Sequence, residues 1–290
     1  MNMDDETRRK ILQYQRNEIT ENHIYRRIAR SMKPGKNRDT IDRIARDELD
    51  HYRIWHSYTG HDVKPDLFKM WFYYIISRVL GFTFAIKLME RGEDNAQAVY
   101  NSMKRQIPEA EQISRDENDH EDALIRLLQE EKLQYTGSMV LGLNDALVEL
   151  TGALAGLTLA LQDTQLIALT GSITGIAAAM SMAASEYLST KAEDTSRNPV
   201  RASVYTGIAY IITVLILIAP YLILPNYYMS LGVTLILAVL IIAFFTYYLS
   251  VVKDVSFKDH FLEMAGLSMG IAAISFLVGF LLRTLLGVDV

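Results

Sequence analysis

Two stretches of this chain repeat the same pair of potential ligands. Glu48-Leu-Asp-His51 and Glu117-Asn-Asp-His120 each place a carboxylate and an imidazole three residues apart. Residues i and i+3 share one face of a helix. Glu18 and the pair Glu90-Arg-Gly-Glu93 add carboxylates in two further predicted helices. Oxygen and nitrogen donors turned inward from four helices form a recurring ligand set for two iron or two manganese ions. Glu18 is followed at +7 by Tyr25, and Glu93 at +7 by Tyr100. The first helix pair therefore reads as a loose copy of the second, with both tyrosines standing just behind the ligands. Glu21, Asp47, Asp50, Asp116, Asp119 and Glu121 read as solvated or supporting groups. His23, His56 and His61 lack a partner at ligand spacing and read as structural.

A second set of acids lies where acids are costly. Asp145 and Glu149 sit four residues apart in an apolar run, and Glu186 lies in the next run with Met180 and Met182 nearby. A charge at the centre of a membrane helix costs about 2.5–3.5 kcal/mol on insertion scales. Several such residues make little sense as structure. They make sense as cation sites or proton carriers, and a thioether suits transition metals better than Mg²⁺ or Ca²⁺.

The elements that position these groups follow from periodicity and breakers. Helices are predicted over 7–32, 39–57, 67–107 and 109–132, divided by Pro34-Gly35, Gly60 with Pro65, and Pro108. Four helices of these lengths suggest an antiparallel bundle. The start of the third, Met70-Trp-Phe-Tyr-Tyr-Ile-Ile, is very apolar, but Arg78 and Lys87 keep it short of a span. It is either the buried start of that helix or a kinked segment whose aromatics lie at a bilayer interface, and the second is favoured. Five later segments, 139–161, 166–189, 203–224, 229–251 and 262–285, are long and apolar enough to span. The first, second and fifth carry small residues that permit close helix approach. The third and fourth are bulkier and are expected to face lipid.

Composition divides at the same place. Residues 1–136 contain 23 Lys+Arg and 24 Asp+Glu, leaving only 6 and 10 for the remainder. The expected division is thus a charged domain over 1–136 and a membrane domain over 137–290. The loops at 190–202 and 252–261 carry Lys191, Arg197, Arg201, Lys253 and Lys258, whereas those at 162–165 and 225–228 carry no Lys or Arg. The positive-inside rule then sets the N-terminal domain in the cytoplasm and the C-terminus outside. There is no cysteine, which excludes disulfides, thiolate sites and iron–sulfur ligation. The acidic start is not the pattern of a cleaved signal peptide. No basic stripe with interleaved aromatics points to nucleic acid.

With these motifs in hand, residues 1–136 resemble the rubrerythrin branch of the ferritin-like superfamily. The resemblance rests on Glu18, Glu48-x-x-His51, Glu90-x-x-Glu93 and Glu117-x-x-His120. It implies that these seven residues bind two metal ions. The absence of the cysteine-ligated iron domain of classical rubrerythrins weighs against a self-contained peroxidase. The membrane half resembles the vacuolar iron transporter family, through Gly142-Leu-Asn144-Asp145-Ala-Leu-Val148 and Ser181-Met182-Ala-Ala-Ser-Glu186-Tyr187. That family has five spans, works as a dimer and exchanges Fe²⁺ or Mn²⁺ for protons. The resemblance puts the translocation path on Asp145, Met182 and Glu186, with Glu149 beside it.

Taken whole, the chain resembles the membrane-bound ferritin type. The expectation is an all-α protein, an N-terminal four-helix ferritin-like bundle followed by a five-span membrane domain. It would act as a homodimeric, proton-coupled exporter of Fe²⁺ or Mn²⁺ in a prokaryotic cytoplasmic membrane. The alternatives are a membrane-anchored di-iron oxidase or peroxidase, and a metal sensor.

Overall fold

The computed structural model describes residues 5–91, 107–126, 135–193 and 197–286, apart from the side chains of Glu90, Glu121, Asp122, Ile125, Arg126 and Leu286. Among the described residues every regular element is a helix, ten in all. The chain divides into two compact units, Met1–Glu130 and Glu131–Val290.

The first unit holds α1 (Asp5–Ser31), α2 (Lys36–Thr59), α3 (Leu67–Val79), α4 (Phe82–Glu90) and α5 (Ala110–Arg126). Acidic residues open α1 and Arg30 lies in its last turn, complementing the helix dipole. Gly60 ends α2 with φ +64°, and its N–H reaches the His56 carbonyl at 2.8 Å. The expected continuous third helix is broken at Leu80-Gly81. Gly81 takes φ +100°, a backbone conformation that side chains with a Cβ rarely adopt.

Two apolar layers form inside this unit. One joins Ile24, Tyr25 and Ile28 of α1 to Ile41 and Ile44 of α2, Met70, Ile86, Met89 and Leu124. The other joins Ile11, Trp55, Ile107, Ala110 and Ile113. Along α1, α2 and α5, the carboxylates and imidazoles of interest fall between these two layers in the chain.

The second unit is α6 (Thr136–Leu161), α7 (Thr164–Ala192), α8 (Pro199–Ile223), α9 (Tyr227–Lys253) and α10 (Phe257–Leu286). All five are long and apolar enough to cross a membrane. Side chains cap the N-termini of α7, α8 and α9: Asp163 accepts from Leu166 N, Asn198 from Val200 N and Arg201 N, and Asn226 from Tyr228 N and Met229 N. Buried hydroxyls of this unit are paired in part, although Thr151 Oγ1 finds no partner among the described residues. Thr158 bonds Tyr221 at 2.7 Å, and Ser268 donates to the Leu147 carbonyl at 3.1 Å.

The expected lipid exposure of the third and fourth spans is not met within one copy. Their most apolar windows are 50% and 44% buried, against 28% for α7 and 17% for α10. Buried Tyr210, Thr213, Tyr221 and Thr234 explain this, because they turn the polar atoms of α8 and α9 inward.

α6 and α10 pack backbone to backbone. A Cβ at Gly279 would overlap the Gly156 carbonyl, whereas one at Gly232 would meet open space. Gly279→Ala is therefore expected to lower stability in detergent by about 1–3 kcal/mol, the usual effect of overpacking. Gly232→Ala should leave the thermal unfolding midpoint almost unchanged.

Candidate metal centre

Glu18 comes from α1, Glu48 and His51 from α2, and Glu117 and His120 from α5. Each helix delivers its ligand from a mid-helix turn, where flanking apolar residues fix the side-chain direction. Glu18, Glu48, His51 and His120 are all buried, between 1% and 3% exposed. One ligand atom from each of Glu18, Glu48, His51 and Glu117 falls within 4.8 Å of the others.

The two glutamates of the repeated motifs each face both imidazoles. Glu48 presents Oε2 to His51 Nδ1 at 3.3 Å and Oε1 to His120 Nδ1 at 3.2 Å. Glu117 presents Oε1 to His51 Nδ1 at 3.3 Å and Oε2 to His120 Nδ1 at 3.7 Å. The imidazole centroids are 5.8 Å apart. Glu18 Oε2 completes the His51 side at 3.8 Å, and its Oε1 accepts from Trp55 Nε1 at 2.9 Å.

The outer ring nitrogens are held crosswise. Asp116 of α5 meets His51 Nε2 of α2 at 3.3 Å, and Asp47 of α2 meets His120 Nε2 of α5 at 3.1 Å. Each aspartate directly precedes a ligand glutamate, so one helix turn both ligates and orients the ligand opposite. This fixes Nδ1 of both rings toward the centre. Asp116→Asn is expected to weaken metal binding about 10–100-fold, the usual effect of an outer hydrogen-bond partner. Competition against a chelator would measure it.

Glu18, Glu48, His51 and Glu117 are grouped closely enough to hold a metal ion. The donors are carboxylate oxygens and imidazole nitrogens, the set that suits iron and manganese. His120 Nδ1 is buried and makes no hydrogen bond among the described residues. Once its proton is displaced, a nitrogen held inward in that way can serve as a ligand.

The electrostatics agree. Burial raises the Glu18 pKa to about 7, with Glu48 adding to the rise and His51 opposing it. Burial works against charge on His51, yet the surrounding carboxylates of Glu117, Glu18 and Glu48 hold its pKa far above the usual value. His120 is raised to about 10, burial being outweighed by Glu117 and Glu48. Without metal, protonated imidazoles balance the carboxylates. A histidine whose folded pKa is raised contributes stability fully present below its unfolded pKa, near 6.5, and loses it as pH rises through about 10. Metal must displace those protons. Binding is expected to release protons, and to tighten from about pH 6 to about pH 8. Calorimetry in buffers of different ionisation enthalpy would count the protons released.

Of the remaining expected groups, Glu93 and Tyr100 lie outside the described residues, as does the Glu90 side chain. Tyr25 is buried in the apolar layer beside Ile24 and Ile28. His56 faces Asp62 at 3.3 Å, and His61 bonds the Thr59 carbonyl at 2.7 Å. The Trp55 contact to Glu18 has no sequence signal, since 37 residues separate the two.

The membrane unit carries a separate set. Glu186 is buried on α7, where Ser138 Oγ donates to Oε1 at 2.5 Å and Thr190 Oγ1 donates at 3.3 Å. Thr190 stands at i+4, a spacing the sequence does display. Glu149 is exposed on the α6 surface and accepts from buried Tyr210 at 2.8 Å. Asp145 and Met182 are half-buried. Among the described residues no hydrogen bond or ion pair joins Asp145, Met182 and Glu186 within one copy. An exposed acid on the flank of a span requires a polar or protein neighbour rather than lipid.

Comparison with known proteins touches this second unit. The model of the VIT family matches residues 136–197, the stretch that holds Asp145, Glu149, Met182 and Glu186. No curated protein and no solved structure matches the chain.

Proposed function

We propose that this chain is a membrane exporter that carries Fe²⁺ or Mn²⁺ out of the cytoplasm in exchange for protons. A four-helix, ferritin-like N-terminal bundle captures the metal beforehand. The VIT-family match across α6 and α7 carries this reading, because those two spans hold the intramembrane acids. An anchor has no need of Asp145, Glu149 and Glu186.

In the bundle, Glu18, Glu48, His51, Glu117 and His120 would hold two iron or manganese ions, with Glu90 and Glu93 expected to complete the set. Bound there, a redox-active pair would supply one-electron chemistry for oxidising or sensing Fe²⁺. The protein groups have simpler tasks. Glu48 and Glu117 each face both imidazoles, Asp47 and Asp116 orient the rings, and Trp55 fixes Glu18.

In the membrane unit the metal is cargo. Glu186 receives it among the Ser138 and Thr190 hydroxyls, Met182 favours a transition metal, and Asp145 with Glu149 takes it onward. Protons returning to these carboxylates reset the path. Exposed Glu149, together with the exposed small face of Ala177, Ser181 and Ala184 on α7, supports a homodimer that encloses the path between copies. The division at 136/137, a cytoplasmic N-terminus, an outer C-terminus and a prokaryotic cytoplasmic membrane belong to the same proposal. Lys191, Arg197, Arg201, Lys253 and Lys258 support that orientation.

The test is iron retention by loaded cells. Cells expressing the chain should lose labelled iron faster than empty cells, and Asp145→Ala should remove the difference. Equal retention in all three, with the protein in the membrane, would overturn the reading. A second reading, a membrane-anchored oxidase or peroxidase, is favoured by one observation. The described carboxylate–imidazole cluster lies wholly within the first unit. Metal-dependent peroxide consumption that survives Asp145→Ala, without iron loss, would select it.

A further inference from the structure

α3 leaves a continuous apolar face uncovered. Leu67, Phe68, Trp71, Phe72, Ile75 and Val79 are 44–79% exposed, while Met70 and Ser77 on the other side are buried. A patch of this kind marks a docking surface. The Arg27 guanidinium lies 4.5 Å above the Trp71 ring. Arg26, Arg27 and Arg30, with His23, Ser31 and Tyr74, line a cleft of about 440 Å³ beside it. None of the three arginines forms an ion pair among the described residues. His23 feels their field, since burial and then Arg26 and Arg27 lower its pKa.

We propose that the exposed face of α3 and the arginine cleft of α1 dock the first unit on an anionic bilayer, with lipid phosphates against the guanidiniums and the aromatic face in the interfacial layer. Aromatic rings beside unneutralised cations are the chemistry of a membrane interface. The same chain supplies its own bilayer contact through five candidate spans. Only residues 127–135 separate α5 from the first of them. A second copy fits less well, because symmetric pairing of this face would bring two arginine clusters together. The inference rests on the spans, and stands whether or not the chain moves metal.

The sequence suits a direct test on the full chain. Its only two tryptophans are Trp55, fully buried in the first unit, and Trp71; the spans contain none. Brominated lipid quenches a tryptophan only at close range. Protein reconstituted into vesicles of brominated phosphatidylglycerol is expected to lose the Trp71 emission, defined as wild type minus Trp71→Phe. Phosphatidylcholine vesicles or high salt should restore most of it. Replacing Arg26, Arg27 and Arg30 by Gln should weaken docking about fivefold per residue. A wild-type-minus-Trp71→Phe difference that is as large in brominated as in unbrominated phosphatidylglycerol would overturn the proposal. So would efficient disulfide pairing between copies of Phe72→Cys with Trp71 unquenched, which would give this face to a second copy. The absence of native cysteine makes that reading unambiguous.

Discussion

Glu48→Gln is expected to leave the first unit unable to retain metal through dialysis. Glu48 is 1% exposed, and its two oxygens face different imidazoles at 3.3 and 3.2 Å. The amide keeps the shape but turns one of those oxygens into a donor and removes the charge. Both imidazoles then lose their shared anionic neighbour at a buried site. Removing one partner of a buried charge pair costs about 3–5 kcal/mol, so affinity should fall at least about 10²-fold. Exposed Glu109, which bonds Tyr58, provides the comparison: Glu109→Gln should bind as the parent does. Metal content after dialysis, read alongside helicity, separates lost ligation from lost fold. Full occupancy in Glu48→Gln would remove Glu48 from the centre.

Glu186→Gln is expected to stop transport while leaving the protein folded in the membrane. The glutamine can still accept from Ser138 and Thr190, which stand 2.5 and 3.3 Å from the carboxylate. It cannot balance a divalent cation or carry a proton. The same scale of about 3–5 kcal/mol applies to a cation left without its buried partner, which corresponds to a rate at least about 10²-fold lower. Ser138→Ala removes one hydroxyl donor to the carboxylate but keeps the charge, and should cost about tenfold. A Glu186→Gln protein that transports within about twofold of the parent would confine this residue to packing.

The carboxylate–imidazole set is legible in the sequence because its geometry is local. A spacing of three on a helix fixes a shared face, so Glu48 with His51 and Glu117 with His120 can be read directly. What spacing does not carry is the meeting of helices. The crosswise hold of Asp116 on His51 and of Asp47 on His120 depends on how α2 faces α5, and Trp55 reaches Glu18 across α1 and α2. The break at Gly81 is hidden for another reason: a lone glycine in an apolar helical run is tolerated as often as it interrupts. The five candidate spans follow from length and hydropathy alone. Their order of burial does not, because bulk says little about which face a hydroxyl turns inward. Tyr210 shows this, being fully buried where composition suggests lipid.

The central claim is exchange of a divalent metal for protons across the membrane unit. Its most direct test is Fe²⁺ uptake into proteoliposomes under an imposed pH gradient, with internal pH followed in the same sample. Uptake that needs the gradient, moves protons the opposite way and disappears in Asp145→Ala is the predicted result. Absence of both metal and proton movement in well-folded, reconstituted protein, with oxygen or peroxide consumed by the first unit, would contradict it.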